Sequence, residues 1–453
     1  MCPPIPLKNK LLRNLGANAY GQLITVIIQL ASAPLFLHYW GVELYGEWLI
    51  LSAIPAYLSL SDIGFASVAA NDMTMRVARG DKDGALQVYQ SIWVFISGVS
   101  VLVGGVITLI IYTAPIASIF SITHLSATQT QPILIALMLY VLFGLQSGVF
   151  SAAFRASGRY AYGTVLGNTV RLGEWFGSMV ALVLGGRALS IALVTLAVRL
   201  LGLVMMWFVL RRHERWLGLG IKWASSQKIR ALFKPAVAFM AFPLGLALCL
   251  QGMVLVIGMT LGSTAVVIFS AYRTLTRFLV QIITMLNQAV WPEISAAYGA
   301  GKMELVNQIH RKGSAVTFWI TLAVVTTLGF IGEWIIGIWT RHAFEQNHTL
   351  LLLMLSTTFL NVLWQTSWVV LMATNKHEKI SVVFVASSVC SILISALIVP
   401  VFGINGAAVV LAAAEIPLMV YVINCALTQL GDSWLVYFKA VVDIPINEKM
   451  RRS

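Results

Sequence analysis

The sequence predicts an all-α polytopic membrane protein, and three observations carry that prediction. Hydrophobic residues fill 59% of its 453 positions and charged residues only 10%, against roughly 25% charged in an ordinary soluble domain. A soluble fold with so few charges could not cover its surface. The apolar residues also fall in runs of about twenty, the helix length that crosses the hydrocarbon core of a bilayer. Finally, the net charge of +13 gathers in alternate connections between the runs, which marks topology rather than a polyanion partner. No nucleic acid is expected to bind.

Twelve transmembrane helices follow in order, at 15–37, 43–66, 90–112, 133–153, 161–184, 188–210, 235–258, 264–290, 314–338, 349–372, 379–399 and 405–427. The first resembles a signal sequence, but its apolar run reaches spanning length with no evident cleavage site, so it is expected to be retained. The second starts beyond Gly41 and ends ahead of the basic link carrying Arg76, Arg79 and Lys82. The third and fourth flank the longest outside loop, 114–132, nineteen residues without Lys, Arg, Asp or Glu. Gly186 separates the fifth from the sixth, and the strongest charge run, 211–234, separates the sixth from the seventh. The eighth and ninth are joined through Gly299-Ala300-Gly301-Lys302, and the eleventh and twelfth at Gly403. Pro34, Pro55 and the pair Pro243 and Gly245 interrupt apolar segments, as bending points or as packing kinks.

With the N-terminus inside, the inner segments hold 24 of the 30 Lys and Arg residues and the outer loops hold two, Arg187 and Arg341. The positive-inside rule then places both termini in the cytoplasm. Cys249, Cys390 and Cys425 sit in apolar helices and Cys2 near the start, with no metal-ligand spacing among them. No metal site is expected.

The basic segment divides the chain into two halves of six helices. An even number per half makes any repeat parallel, with its pseudo-twofold along the membrane normal. Gly41 to Gly80 spans 39 positions, as does Gly262 to Gly301, and Ala156 and Gly186 align with Ala373 and Gly403. The expected organisation is a lobe at 1–212, a basic cytoplasmic linker at 213–234, a second lobe at 235–430 and a cytoplasmic tail at 431–453.

Polar residues at membrane depth are the informative ones, because a charge there costs a few kcal/mol or more and faces a cavity or a partner. Ser270, Arg273, Arg277, Gln281, Thr284 and Gln288 recur at helical spacing on one face of the eighth helix. That face is expected to line a hydrated space; the alternative is that its arginines tie the helix to its neighbours. The first helix carries Asn18, Gln22, Thr25, Gln29 and Ser32, the fifth Thr164, Asn168, Arg171, Trp175 and Ser178, and the tenth Thr358, Asn361, Gln365 and Trp368. Amides and indoles of this kind suit sugar hydroxyls and ring faces, and equally suit interhelical hydrogen bonds. Arg171 and Glu174, three apart, are expected to pair. Arg199 and Glu415 lie near equivalent depths of the sixth and twelfth helices. Every histidine is expected in a loop or at a helix end, so a proton relay would use Asp62, Glu174 or Glu415.

One stretch resembles a known family. Asn18, Gln29 and Pro34, then Gly41-Val42-Glu43-Leu44-Tyr45-Gly46-Glu47-Trp48, then Leu60-Ser61-Asp62-Ile63-Gly64-Phe65 with Asn71, then Ala78-Arg79-Gly80-Asp81 are similar to the N-terminus of the polysaccharide transporter family. That family includes the O-antigen and capsule-repeat flippases and belongs with the multidrug/oligosaccharidyl-lipid/polysaccharide exporters. The resemblance implies two six-helix lobes related by pseudo-twofold symmetry around a central cavity that opens to alternate faces. It implies a bacterial inner-membrane location and a substrate of undecaprenyl pyrophosphate carrying an oligosaccharide repeat unit. By the resemblance the first, second, seventh and eighth helices line the cavity, and the anion-binding role carries to Arg273 and Arg277 only; Ser270, Gln281, Asn18, Gln22 and Gln29 are candidate cavity residues from their place on the polar stripes. No bond chemistry and no cofactor is implied; a proton or sodium ion is the candidate coupling ion, and membrane lipids, a polysaccharide polymerase and a chain-length regulator are candidate partners. The chain departs from the pattern where Ser52 and Ala56 stand opposite Arg273 and Arg277 in the repeat. The rival readings are an ion-coupled drug or metabolite antiporter, a lipid II-type flippase, and a membrane polymerase or ligase; the last would need a large outside loop that is absent here.

Overall fold

A computed structural model describes residues 7–56, 60–120, 122–299, 301–374 and 378–443. The described residues are helical apart from turns and connections, of which 214–225 is the longest. The elements are α1 (Leu7–Ala56), α2 (Leu60–Ala78), α3 (Lys82–Thr113), the single turn α4 (Ile116–Ile119), α5 (Ala127–Ala156), α6 (Tyr160–Val183) and α7 (Ala188–His213). After α8 (Ser226–Ala247) and a π-helical turn, Leu248–Gly252, come α9 (Met253–Leu261), α10 (Ser263–Gly299), α11 (Met303–Trp339), α12 (His348–Ala373), α13 (Glu378–Leu430) and α14 (Trp434–Val442). Among the described residues, nine helical stretches are long and apolar enough to cross a membrane, two of them 44 and 51 residues long. Gly41 breaks the first of those two and Gly403 the second. Broken there, the nine stretches make eleven segments, and α6 (Tyr160–Val183) matches the remaining expected helix, 161–184; the expected helix 43–66 crosses residues 57–59, outside the described residues. The chain is a multi-pass membrane protein.

The breaks share one backbone solution. Gly41 has φ 73 and ψ −175, Gly262 has φ 83 and ψ −175, and Gly403 has φ 61 and ψ −155. That region of φ/ψ space is open essentially to glycine alone. Gly80 and Gly301 also have positive φ, 81 and 71, so the pairs Gly41/Gly262 and Gly80/Gly301 each share a positive φ, whereas the counterpart of Gly403 in the first half is Gly185 (φ 81) rather than Gly186. The duplication expected from spacing therefore extends to backbone geometry.

Several helices run past their apolar cores. α11 begins at Met303 rather than near residue 314, because hydropathy marks only the part that meets lipid while the backbone hydrogen-bond ladder continues. One consequence corrects the sequence reading: His310 lies inside α11 and is fully buried, with Nε2 2.9 Å from Ser367 Oγ. The side chains of Asp62, Pro243 and Gln288 lie outside the described residues.

Contacts group the chain into two compact units, 1–247 and 248–453. The core of the first includes Met73, Val88, Tyr89, Ile92, Phe154 and Leu210 from α2, α3, α5 and α7. The 214–225 connection is fastened to α3: Gln90 Nε2 donates to Gly218 O and Trp223 N donates to Gln90 Oε1, both at 2.9 Å, and Ser225 N donates to Ser91 Oγ at 2.9 Å. Glu47, fully buried, fastens the uncharged loop before α5. Its Oε1 accepts from the amides of Thr123 and His124 at 2.7 Å and its Oε2 from Leu125 at 3.0 Å. Three backbone donors satisfy the carboxylate, and His124 Nδ1 also lies 3.4 Å from Oε1. In the second unit, Ile294, Val306, Val369, Val370 and Leu430 from α10 to α13 form one cluster.

Candidate functional site

The first unit holds a cavity of about 560 Å³. Four helices build its wall: Phe36, Trp48, Ser52 and Ala56 from α1, Tyr140 and Gly144 from α5, Trp175 and Ser178 from α6, and Thr195 and Arg199 from α7. Ser52 and Ala56 occupy the positions equivalent to Arg273 and Arg277, so small side chains leave open here the room that guanidinium groups would take. The aromatic wall is itself packed, with Trp40 against Trp48 edge to face at 5.7 Å and Phe36 stacked on Tyr45 at 5.2 Å.

Arg199 of this wall is ion-paired with the buried Glu174. Arg199 Nε lies 2.8 Å from Glu174 Oε1, Arg199 Nη2 donates to Glu174 Oε2 at 3.0 Å and to Tyr140 OH at 2.6 Å, and Tyr140 OH donates to Glu174 Oε2 at 3.0 Å. The guanidinium also lies over the Tyr140 ring, 4.4 Å from its centroid. This corrects the expected pairing of Arg171 with Glu174. Arg171 Nη1 instead donates to Thr25 Oγ1 at 2.9 Å. Spacing along one helix suggested that pair; the packing of α7 beside α6 supplied a better-placed cation for Glu174.

The polar stripe of the first helix meets the stripe of the fifth along its length. Tyr160 OH donates to Asn18 Oδ1 at 3.0 Å, Tyr20 OH and Thr169 Oγ1 share a hydrogen bond at 3.2 Å, and Trp175 Nε1 donates to Ser32 Oγ at 2.9 Å. Gly21 faces Asn168 at the same seam, where a Cβ would collide with the amide at 2.5 Å. Asn18 is thereby engaged in holding α1 to α6. Gln22 and Gln29 are half-buried on the same helix.

In the second unit, Arg273, Arg277 and Gln281 are half-buried along α10. Arg273 Nη1 donates to Leu250 O at 2.6 Å. Leu250 sits within the π-helical turn, where the i→i+5 pattern disturbs the ordinary ladder, and the guanidinium serves a carbonyl there. Arg277 makes no hydrogen bond or ion pair among the described residues. Ser270 Oγ is buried and likewise without a partner among them. Farther along the stripe, Thr284 Oγ1 lies 3.5 Å from Gln365 Oε1 and Gln365 Nε2 donates to Asn361 Oδ1 at 2.8 Å. Asn361 Nδ2 and Trp364 Nε1 then donate to the two oxygens of Glu415, at 3.1 and 2.8 Å. Glu415 has dipolar partners and no cation among the described residues, in contrast to Glu174.

Sequence reasoning passed over Tyr140 and the role of Glu47. Tyr140 is one of several hydroxyls along α5 and falls on no polar stripe, a weak signal; Glu47 is an acid set in the apolar and aromatic stretch Leu44-Tyr45-Gly46-Glu47-Trp48, which was the available clue. Among the described residues no group of three or more His, Cys, Asp or Glu side chains is placed to hold a metal ion.

No family model matches the chain, and no curated protein matches it. Solved structures do. An inward-facing multidrug resistance MATE family transporter of the MOP superfamily is similar over 93% of this chain and 95% of that one, at 14% identity and a TM-score of 0.70. The lipid II flippase MurJ in an inward closed conformation is similar over 94% of this chain and 90% of that one, at 12% identity and a TM-score of 0.68. A MOP superfamily transporter from Pyrococcus furiosus, described by the reverse polarity of its binding pocket, is similar over 94% of this chain and 96% of that one, at 13% identity and a TM-score of 0.62. At such identities the likeness is one of architecture, and the chain has the fold of the MOP superfamily transporters.

Proposed function

We propose that the protein is a flippase that moves a polyprenyl-pyrophosphate-linked oligosaccharide, with undecaprenol as the carrier, across the bacterial inner membrane by alternating access. Arg277 carries the reading. It is a guanidinium inside a spanning helix with no ion pair or hydrogen bond among the described residues, and such a charge at membrane depth calls for a partner. A pyrophosphate fits that need, because guanidinium stays ionised when desolvated and grips phosphate oxygens through paired hydrogen bonds. Gln281 and Ser270 extend the same polar stripe. The named flippase among the similar folds supports a lipid-linked substrate, and the arginine stripe opposes a cationic drug. Glu174, already neutralised by Arg199, offers a cationic substrate little.

The chain's part in the process is to bind and to release. A sugar-pyrophosphate headgroup crosses hydrocarbon slowly because its desolvation is expensive, and a polar, cationic path lowers that barrier while the polyprenyl tail stays in lipid. No bond is made or broken. Glu415 is the candidate for coupling to a proton or sodium ion, since its carboxylate has no cation beside it among the described residues. In this scheme the two halves of the chain alternate access to the substrate, both termini face the cytoplasm, and a polymerase with its chain-length regulator takes over the product.

Proteoliposomes carrying a polyprenyl-pyrophosphate oligosaccharide test the reading. The measured quantity is the rate at which the glycan becomes accessible to a membrane-impermeant glycosidase. Protein should raise that rate, and Arg277→Ala should lower it by about tenfold or more, the worth of lost charge-assisted hydrogen bonds. An undiminished rate in the Arg273→Ala/Arg277→Ala double variant would discard the anion site.

A further inference from the structure

The last helix, α14 (Trp434–Val442), presents two different faces. On one, Tyr437 and Val441 are buried, and the Tyr437 ring stacks on His310 of α11 with centroids 5.1 Å apart and planes at 18°. The approach to the helix is fastened as well. Asp432 accepts from Arg311 Nε and Nη2, each at 2.8 Å, and Asn307 Nδ2 donates to Leu430 O at 3.3 Å. Gly431, with φ 63, makes the bend. α14 is thus seated on the first turns of α11, one bend beyond the end of a spanning segment.

The adjoining face has no protein partner among the described residues, and it is apolar. Leu435, Phe438 and Val442 are 76%, 54% and 55% exposed. At 3.6 residues per turn they fall within an arc of about 60°. Lys439, exposed, borders that arc. Trp434 lies against Phe438, ring centroids 5.7 Å apart, and donates its indole N–H to Asn424 Oδ1 at 3.2 Å, an arrangement with one apolar and one polar end. Beyond the helix the chain adds Lys449, Arg451 and Arg452 against Asp443 and Glu448. Apolar anchors, an interfacial indole and a cationic border are what a helix lying in a membrane interface requires.

We propose that α14 is an interfacial anchor, with Leu435, Phe438 and Val442 at the headgroup–acyl boundary and Lys439 on the phosphate of an anionic phospholipid. The occupant is lipid because the helix emerges directly from a membrane-spanning segment and its free border is cationic. This anchor does not depend on which substrate is carried.

The test uses the full chain, with its four native cysteines replaced and its monodisperse elution retained, in nanodiscs of phosphatidylcholine with or without phosphatidylglycerol. Nitroxide labels at Leu435→Cys, Phe438→Cys and Val442→Cys should relax with dissolved oxygen and resist a water-soluble nickel complex. A label at Lys439→Cys should respond more to nickel. In the unlabelled full chain, a spin-labelled phosphatidylglycerol should associate about fivefold more tightly with the protein bearing Lys439 than with Lys439→Gln, the worth of one cation at an anionic surface. Nickel accessibility at 435 and 438 would show the face in water and overturn the proposal. Exclusion of both oxygen and nickel would show a protein partner or a second copy there, and would overturn it equally. An unchanged lipid preference in Lys439→Gln removes the anionic headgroup from the assignment.

Discussion

Arg199 of α7 and Glu174 of α6 form an ion pair at 2.8 Å, and Tyr140 of α5 ties both of them to a third helix. Glu174 is 3% and Arg199 17% exposed in the pair. Removing one partner strands the other's charge, a change worth about 3–5 kcal/mol. Arg199→Ala should therefore lower the thermal midpoint of the purified protein markedly, followed by loss of the monodisperse elution peak on heating. The Glu174→Gln/Arg199→Met double variant should regain most of the loss. A double variant as fragile as the single one would mean that shape, not charge pairing, holds these helices.

Arg273 and Arg277 should separate stability from transport. Arg273 serves the Leu250 carbonyl of the π-helical turn, and a hydrogen bond from a charged group is worth about 1.5–3 kcal/mol. Arg273→Ala should lower both thermal stability and glycan translocation. Arg277→Ala should keep stability near that of the wild type while translocation falls. Melting curves beside translocation rates for the two variants check the split.

Glu47 should control the loop ahead of α5. Its carboxylate accepts three backbone amides, from Thr123, His124 and Leu125. In Glu47→Ala those donors lose their acceptor, at about 1–3 kcal/mol for each group left buried and unpaired. Hydrogen exchange of the 122–126 amides should accelerate, while amides in α3 keep their protection.

Gly41 should resist replacement. Its φ of 73 with ψ −175 is a conformation costing other residues about 1–3 kcal/mol, although the nearest atom to an added Cβ is 3.8 Å away. Gly41→Ala should destabilise through backbone strain alone, and Gly262→Ala, at the equivalent turn, should do so by a similar amount in the same melting assay.

The Asp432–Arg311 pair should make the seat of α14 acid-labile. The hydrogen bonds from Arg311 hold the Asp432 carboxyl below its ordinary value despite partial burial. A depressed folded value means that the unfolded chain binds the proton more readily. The stabilisation is then complete above the ordinary carboxyl pKa of about 3.9 and is lost as pH falls through the lower folded value. Asp432→Asn should melt below the wild type at neutral pH, and the two curves should converge in acid.

The membrane class, the helix order and the repeat were all legible in one dimension, because lipid imposes a length and a composition on every span and glycine marks where the backbone must adopt an orientation other residues avoid. Gly41 and Gly262 were recognisable by spacing before their torsions matched. The stripes on the first and fifth helices were legible as faces, yet periodicity could not say what each face met. Packing made Asn18, Thr25 and Ser32 of α1 the partners of Tyr160, Arg171 and Trp175. His310 lay beyond reach for a related reason, since a helix continues where hydropathy has already fallen. Which acid took which cation was decided in three dimensions. Glu174 had Arg171 nearer in the chain and Arg199 nearer in space, and a Coulomb interaction depends on distance and burial, not on sequence separation.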